Sequence, residues 1–139
     1  MVELIVGGKG KGKTKVLLEK AAEALKNANG TVVFVDKNKQ HMYELSNKIR
    51  LIDITEYPAK GEQGFLGFIS GIAASDHDLE YLILDSFLTV AGLEGKDISA
   101  AIEAIRTLAV KNNLNIIVSV SLDKEELPES VKELVSVAL

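Results

Sequence analysis

The sequence predicts an α/β fold of three layers, a mostly parallel sheet with helices on both faces. Three observations predict it. Short apolar runs alternate with stretches of helical periodicity along nearly the whole chain. Several of those runs are β-branched and continuously apolar, the mark of strands covered on both sides. The first run leads through a glycine-rich loop directly into a helix, a strand–loop–helix unit.

In chain order, Val2 to Val6 is the first strand. Thr14 to Ala28 is a helix, with Val16, Leu17, Ala21, Ala24, Leu25 and Ala28 at core spacing, closed by Asn27-Ala28-Asn29-Gly30. Thr31 to Val35 is the second strand, Asp36 to Gln40 a polar loop, Met42 to Lys48 a short helix and Leu51 to Ile54 the third strand. After the loop Tyr57 to Gly61, Glu62 to Ser75 reads as a helix packed through Phe65, Phe68, Ile69 and Ile72. Gly64, Gly67 and Gly71 run through it, each costing about 1 kcal/mol relative to Ala. They serve either close packing on the sheet or contact with a neighbouring subunit.

Asp76-His77-Asp78 is a turn. His77 stands between two acids, but a metal site requires more ligands than this, so an exposed turn is expected. Tyr81 to Asp85 is the fourth strand. Leu93 to Ile98 forms a loop, and Asp97 or Ser99 caps a helix running to Asn112 with the stripe Ala101, Ile102, Ile105, Leu108 and Ala109. Ile116 to Val120 is the fifth strand, Leu127-Pro128 opens a short helix, and Leu134 to Leu139 is the sixth strand.

The chain has 139 residues, 47% hydrophobic, which suits a single domain over residues 1–139 with a real core. A net charge of −4 argues against a free-standing electrostatic nucleic-acid binder. No cysteine is present, so disulfides and thiolate metal sites are excluded. No apolar stretch reaches bilayer length, and Gly7 to Lys13 interrupts the first apolar run at once, unlike a signal peptide. The expectation is a soluble cytoplasmic protein without membrane partners.

The chemistry concentrates in Gly7-Gly8-Lys9-Gly10-Lys11-Gly12-Lys13-Thr14, which fits the phosphate-loop pattern G-x-x-x-x-G-K-[ST] between a strand and a helix. Glycines let backbone wrap closely around a polyphosphate, and successive N–H groups at the start of a helix bind anions. In that pattern Lys13 reaches the β- and γ-phosphates and Thr14 places its hydroxyl on Mg²⁺. Lys9 and Lys11 exceed what the motif requires; they add long-range attraction or are simply solvated. Asp85, at the end of an apolar strand, is the expected second contact to Mg²⁺, through its water shell. Ser86 follows it, either bonding to Asp85 or leading the turn.

With these residues in place, the chain resembles the ATPase core of the RecA recombinase family, whose relatives include RadA-like and KaiC-like proteins. The matching stretches are the phosphate loop, Gly30 to Asp36, Gly61-Glu62-Gln63, Leu82-Ile83-Leu84-Asp85-Ser86 and the Leu134 to Leu139 strand. The resemblance implies strand order 3-2-4-5-1-6 and nucleotide at the carboxyl ends of the strands. It also implies that Asn38 stands where the family has its catalytic glutamate, and an amide cannot accept a proton from water. Ser121 falls at the family's polar sensor, followed by Leu122. Lys132 matches a lysine that reaches the γ-phosphate of a neighbouring subunit, or is a solvated surface lysine. The segment Leu122 to Ser130 is too short for the family's DNA-binding loop, and its flanking oligomerisation segments are not matched.

These observations favour an ATP·Mg²⁺-binding protein with weak or absent hydrolysis, in which nucleotide controls conformation or assembly. The alternatives are an active ATPase whose base comes from Glu62, Glu44, a neighbouring subunit or a partner protein, and a small P-loop kinase. The kinase would need an acceptor pocket and basic lid residues, whereas Arg50 and Arg106 are the arginines present. No Asn-Lys-x-Asp stretch follows a strand, which disfavours GTP.

Overall fold

The computed structural model describes all 139 residues. Its strands are β1 (Val2–Val6), β2 (Thr31–Asp36), β3 (Arg50–Asp53), β4 (Leu79–Leu84), β5 (Asn115–Val120) and β6 (Val135–Ala138). Its α-helices are α1 (Lys13–Asn27), α2 (Gly61–Ser75), α3 (Phe87–Val90), α4 (Ser99–Asn112) and α5 (Glu129–Lys132). The six strands form one sheet in the order β3-β2-β4-β5-β1-β6, with every neighbouring pair parallel. This is the strand order that the resemblance implied.

The uninterrupted apolar runs are explained by two cores, one on each face. Side chains alternate across a sheet with period two. Leu4 and Val6 of β1, Val33 and Val35 of β2, Leu82 and Leu84 of β4, and Ile116, Val118 and Val120 of β5 all enter a core shared with α2 and α4. The residues between them (Ile5, Val32, Phe34, Ile83 and Ile117) enter a smaller core under α1, with Leu17, Ala21 and Ala24. A strand in this position has no polar face, so its sequence shows no alternation.

The same alternation sets which polar residues reach the α1 side. Asp36 follows Val35, Asp85 follows Leu84, and Ser119 lies between Val118 and Val120. Each is therefore out of phase with the residues on the α2 and α4 side. All three are buried, and all stand toward the carboxyl ends of central strands, beside the start of α1.

Several elements differ from the sequence expectation. The helix expected over Met42 to Lys48 is a single turn, Met42–Glu44. All three of its residues are exposed, and a helix this short has no stability without a packed face. Strand β4 begins at Leu79, two residues before Tyr81. Helix α3 was not anticipated; Ser86, with φ 58°, turns the chain sharply into it. The three glycines of α2 divide. A Cβ on Gly64 would stand 2.7 Å from the Ala59 carbonyl carbon, whereas Gly67 and Gly71 face open space.

Candidate functional site

The loop between β1 and α1 is anchored at its beginning and left open at its end. The N–H of Gly7 donates to the Leu122 carbonyl at 2.8 Å. The N–H of Gly8 donates to Asp123 Oδ1 at 3.2 Å, and that of Lys11 to the Gly8 carbonyl at 3.3 Å. Gly10 and Gly12 lie at φ 79° and 95°, a left-handed conformation that only glycine adopts cheaply. The N–H groups of Gly10, Gly12, Lys13, Thr14 and Lys15 find no acceptor in the protein, and no side chain caps α1. The first turn of α1 also carries no acid, so its positive end is uncompensated. Gly10, Gly12, Lys13 and Thr14 border a polar cleft of about 530 Å³.

Lys13 is the first residue of α1 and is 8% exposed. Its Nζ donates to the Gly8 carbonyl at 3.0 Å. Burial lowers the pKa of the ammonium, opposed by the negative charges of Asp85 and Asp123. It is a buried cation held by a neutral carbonyl, available to an anion that enters the cleft.

Asp85 brings together elements distant in sequence. Thr14 Oγ1 donates to Asp85 Oδ2 at 2.9 Å. Ser119 Oγ donates to Oδ1 at 2.6 Å, and the Ser86 N–H donates to the same oxygen at 2.8 Å. The Ser86 N–H also lies 3.1 Å from Ser119 Oγ. The carboxylate is thereby fixed in rotamer and aimed at the Thr14 hydroxyl. A hydroxyl and a carboxylate oxygen in contact are hard oxygen donors of the kind Mg²⁺ takes when it also binds phosphate. The donor set therefore fits Mg²⁺, with Thr14 and Asp85 as the residues that would hold it.

Asp36 lies beside this group. Its Oδ1 accepts from the Lys37 N–H at 2.7 Å and from Ser86 Oγ at 3.4 Å. Burial raises its pKa; the Lys37 N–H bond opposes the rise and the nearby Asp85 charge adds to it.

The remaining expected residues fall in different places. Lys9 lines the cleft and pairs with Glu94 at 3.4 Å, with both side chains largely exposed. Lys11 is exposed. Ser121 lines the cleft, whereas Asn38 does not; the Asn38 Oδ1 accepts from the Gln40 N–H at 2.9 Å in a local turn. Lys37, one residue earlier, does line it. Lys132 is outside the cleft on α5, bonded to Glu129 Oε1 at 2.8 Å. Glu44 is bonded to His41 at 2.8 Å, and Glu62 does not line the cleft. His77 is exposed, and no group of three or more His, Asp or Glu side chains is placed to hold a metal.

Sequence reasoning missed Ser119, Asp123, Lys37 and Thr89. Ser119 had a signal, since it is the only polar residue in the run Ile116 to Val120. A hydroxyl in a doubly covered strand needs a buried partner. Asp123, Lys37 and Thr89 sit in turns or a short helix where polar residues are ordinary, so nothing local marked them.

A scan against protein-family models finds no match, and a search of curated proteins finds none. Among solved structures, the flagellar accessory protein FlaH from Methanocaldococcus jannaschii matches with a TM-score of 0.58 and 19% identity. The match covers 94% of this chain but only 64% of the FlaH chain. At this identity the likeness speaks for the fold alone. Together with the order of the six parallel strands, it shows that this chain has a RecA-like α/β fold.

Proposed function

We propose that this chain is a single nucleotide-binding domain that takes ATP with Mg²⁺ and hydrolyses it slowly or not at all. Bound nucleotide would set its conformation or its assembly with another copy or a partner protein. The observation that carries the reading is the set of unbonded amides at Gly10, Gly12, Lys13 and Thr14. It borders one cleft together with the Lys13 ammonium and the Thr14–Asp85 oxygen pair.

A polyphosphate entering this cleft gives those amides their missing acceptors. It also offers Lys13 an anionic partner in place of the Gly8 carbonyl. Bound Mg²⁺ would neutralise phosphate charge beside Thr14 and Asp85. Ser119 and the Ser86 N–H hold the Asp85 carboxylate in position for it.

Slow turnover follows from what the cleft lacks. Asn38 offers an amide at the position of the family's base, and its oxygen is occupied by the Gln40 N–H. Positioning and electrostatics alone sustain only limited phosphoryl transfer to water. Completion of the site by Lys132 of a neighbouring copy remains part of the proposal. It requires that specific activity rise with protein concentration.

Isothermal titration with ATP, ADP and GTP, with and without Mg²⁺, tests the reading. ATP should bind, more tightly with Mg²⁺. Lys13→Met should lose that binding yet keep its fold, because it removes a buried charge held only by a carbonyl; a stability gain of about 1 kcal/mol is expected. No heat with any nucleoside triphosphate would end the proposal.

A further inference from the structure

A second cavity adjoins the phosphate cleft and shares Lys37 and Thr89 with it. It measures about 190 Å³ and lies past the carboxyl end of β3, between the segment Ile54 to Lys60 and the end of α3. Ile54, Tyr57, Ala59 and Val90 supply an apolar floor and walls. Lys37 and Lys60, both exposed, also line it, as do Thr55 and Thr89, whose hydroxyls donate to Asp53 Oδ1 at 2.5 Å and to Glu94 Oε1 at 3.0 Å. We propose that this cavity is a binding site for a small organic carboxylate, placed directly beside the nucleotide.

Three features point to that class of ligand. The first is charge. No acid lines the cavity; of the acids around it, Glu56 is paired with Lys39 at 3.3 Å, and Asp53 and Glu94 accept from the Thr55 and Thr89 hydroxyls. Lys37 and Lys60 are therefore cations without a carboxylate partner, and an anion is the complementary occupant. The second is polarity. Most of the lining surface is apolar, including the buried Ile54 and Ala59. A bare inorganic anion would leave that surface wet, whereas a hydrocarbon body carrying one carboxylate covers it. The third is size. The volume is below the range for drug-sized ligands and admits an acid about as large as benzoate.

The walls are tied to the phosphate site. Thr55 Oγ1 donates to Asp53 Oδ1 at 2.5 Å and lies 3.4 Å from the Lys37 carbonyl, which sets the turn after β3 beside the end of β2. Thr89 Oγ1 donates to Glu94 Oε1 at 3.0 Å, and Glu94 meets Lys9 of the phosphate loop. An acid in the cavity would share the Lys37 ammonium with whatever fills the cleft. This inference rests on the nucleotide reading only for the identity of its neighbour.

Benzoate is the probe, with benzylamine as the control of similar shape and opposite charge. The ¹⁵N-labelled protein is titrated with each while backbone amide shifts are followed. Saturable shifts at Thr55, Lys60 and Thr89 with benzoate, and none with benzylamine, are expected. Lys60 lines this cavity and not the cleft. Lys60→Gln should therefore weaken benzoate binding about fivefold and leave ATP·Mg²⁺ affinity unchanged. No saturable shift with benzoate, an equal response to benzylamine, or full benzoate affinity in Lys60→Gln would each overturn the proposal. Benzoate binding in a protein that takes no ATP would remove the nucleotide reading and leave this site standing.

Discussion

Replacing Asp85 by Asn separates the metal contact from the architecture around it. The side chain keeps its shape, and its remaining oxygen can still accept from Ser119 Oγ and from the Ser86 N–H, now at 2.6 and 2.8 Å. The Thr14 hydroxyl, which donates to Oδ2 at 2.9 Å, must reverse and accept from the new amide, as a hydroxyl can. Three charge-assisted bonds become neutral ones, a loss of about 1 kcal/mol each at most. Relief of the repulsion between Asp85 and Asp36 offsets part of that loss. Net stability should fall by no more than about 2 kcal/mol, and the domain should stay folded in urea unfolding.

Nucleotide binding should respond differently. A carboxylate contact to the water shell of Mg²⁺ is a hydrogen bond to a charged group, about 1.5–3 kcal/mol, or about 10–100-fold in affinity. In Asp85→Asn, ATP·Mg²⁺ should therefore bind about 10–100-fold more weakly. ATP in EDTA should bind as well as to the parent or better, because a negative charge has left the site. The assay is a pair of calorimetric titrations on each protein. An unchanged Mg²⁺ dependence, or an equal fall with and without Mg²⁺, would refute the placement of magnesium between Thr14 and Asp85.

Two further outcomes follow from the buried acid and the glycines. The folded pKa of Asp36 lies above 3.8, so the native state holds this proton more tightly than the unfolded chain. Its contribution to stability falls as pH rises from near the ordinary carboxylate value through the raised one. Asp36→Asn should gain on the parent across that window and meet it in acid, read from urea midpoints between about pH 3 and 8; parallel curves would contradict the raised pKa. In α2, Gly64→Ala should destabilise by about 1–3 kcal/mol, since its Cβ would stand 2.7 Å from the Ala59 carbonyl carbon. Gly67→Ala and Gly71→Ala, which meet nothing, should each stabilise by about 1 kcal/mol in thermal unfolding. The opposite order would show that the last two serve a contact outside this chain.

Much of the architecture was legible because it is written in local patterns. Continuous runs such as Val32-Val33-Phe34-Val35 marked doubly covered strands, and the structure has them between two cores. Met42 to Lys48 was misread because a few helix-compatible residues outweighed the lack of a packed face; tertiary contact decides a segment that short. The strand order itself came from likeness to a family rather than from any residue. The turn into α3 was invisible too, since Ser86 adopts a left-handed conformation that its residue type does not announce.

The glycine loop between β1 and α1 could be read from the sequence because its features are those of neighbours. Glycines at the left-handed positions, a lysine at the helix start and open amides all arise within a few residues, whatever surrounds them. The company kept by Asp85 could not be read in this way. Thr14 stands 71 residues away and Ser119 stands 34 away. They meet Asp85 because β4 lies next to β5, β5 next to β1, and the period-two pleat turns Asp85 and Ser119 toward α1. Sequence by itself determined most of the segments that form strands and long helices, and the glycine turn with its open amides. Tertiary structure alone decided which buried polar groups share one site, because strand order and register are set by the packing of two whole cores.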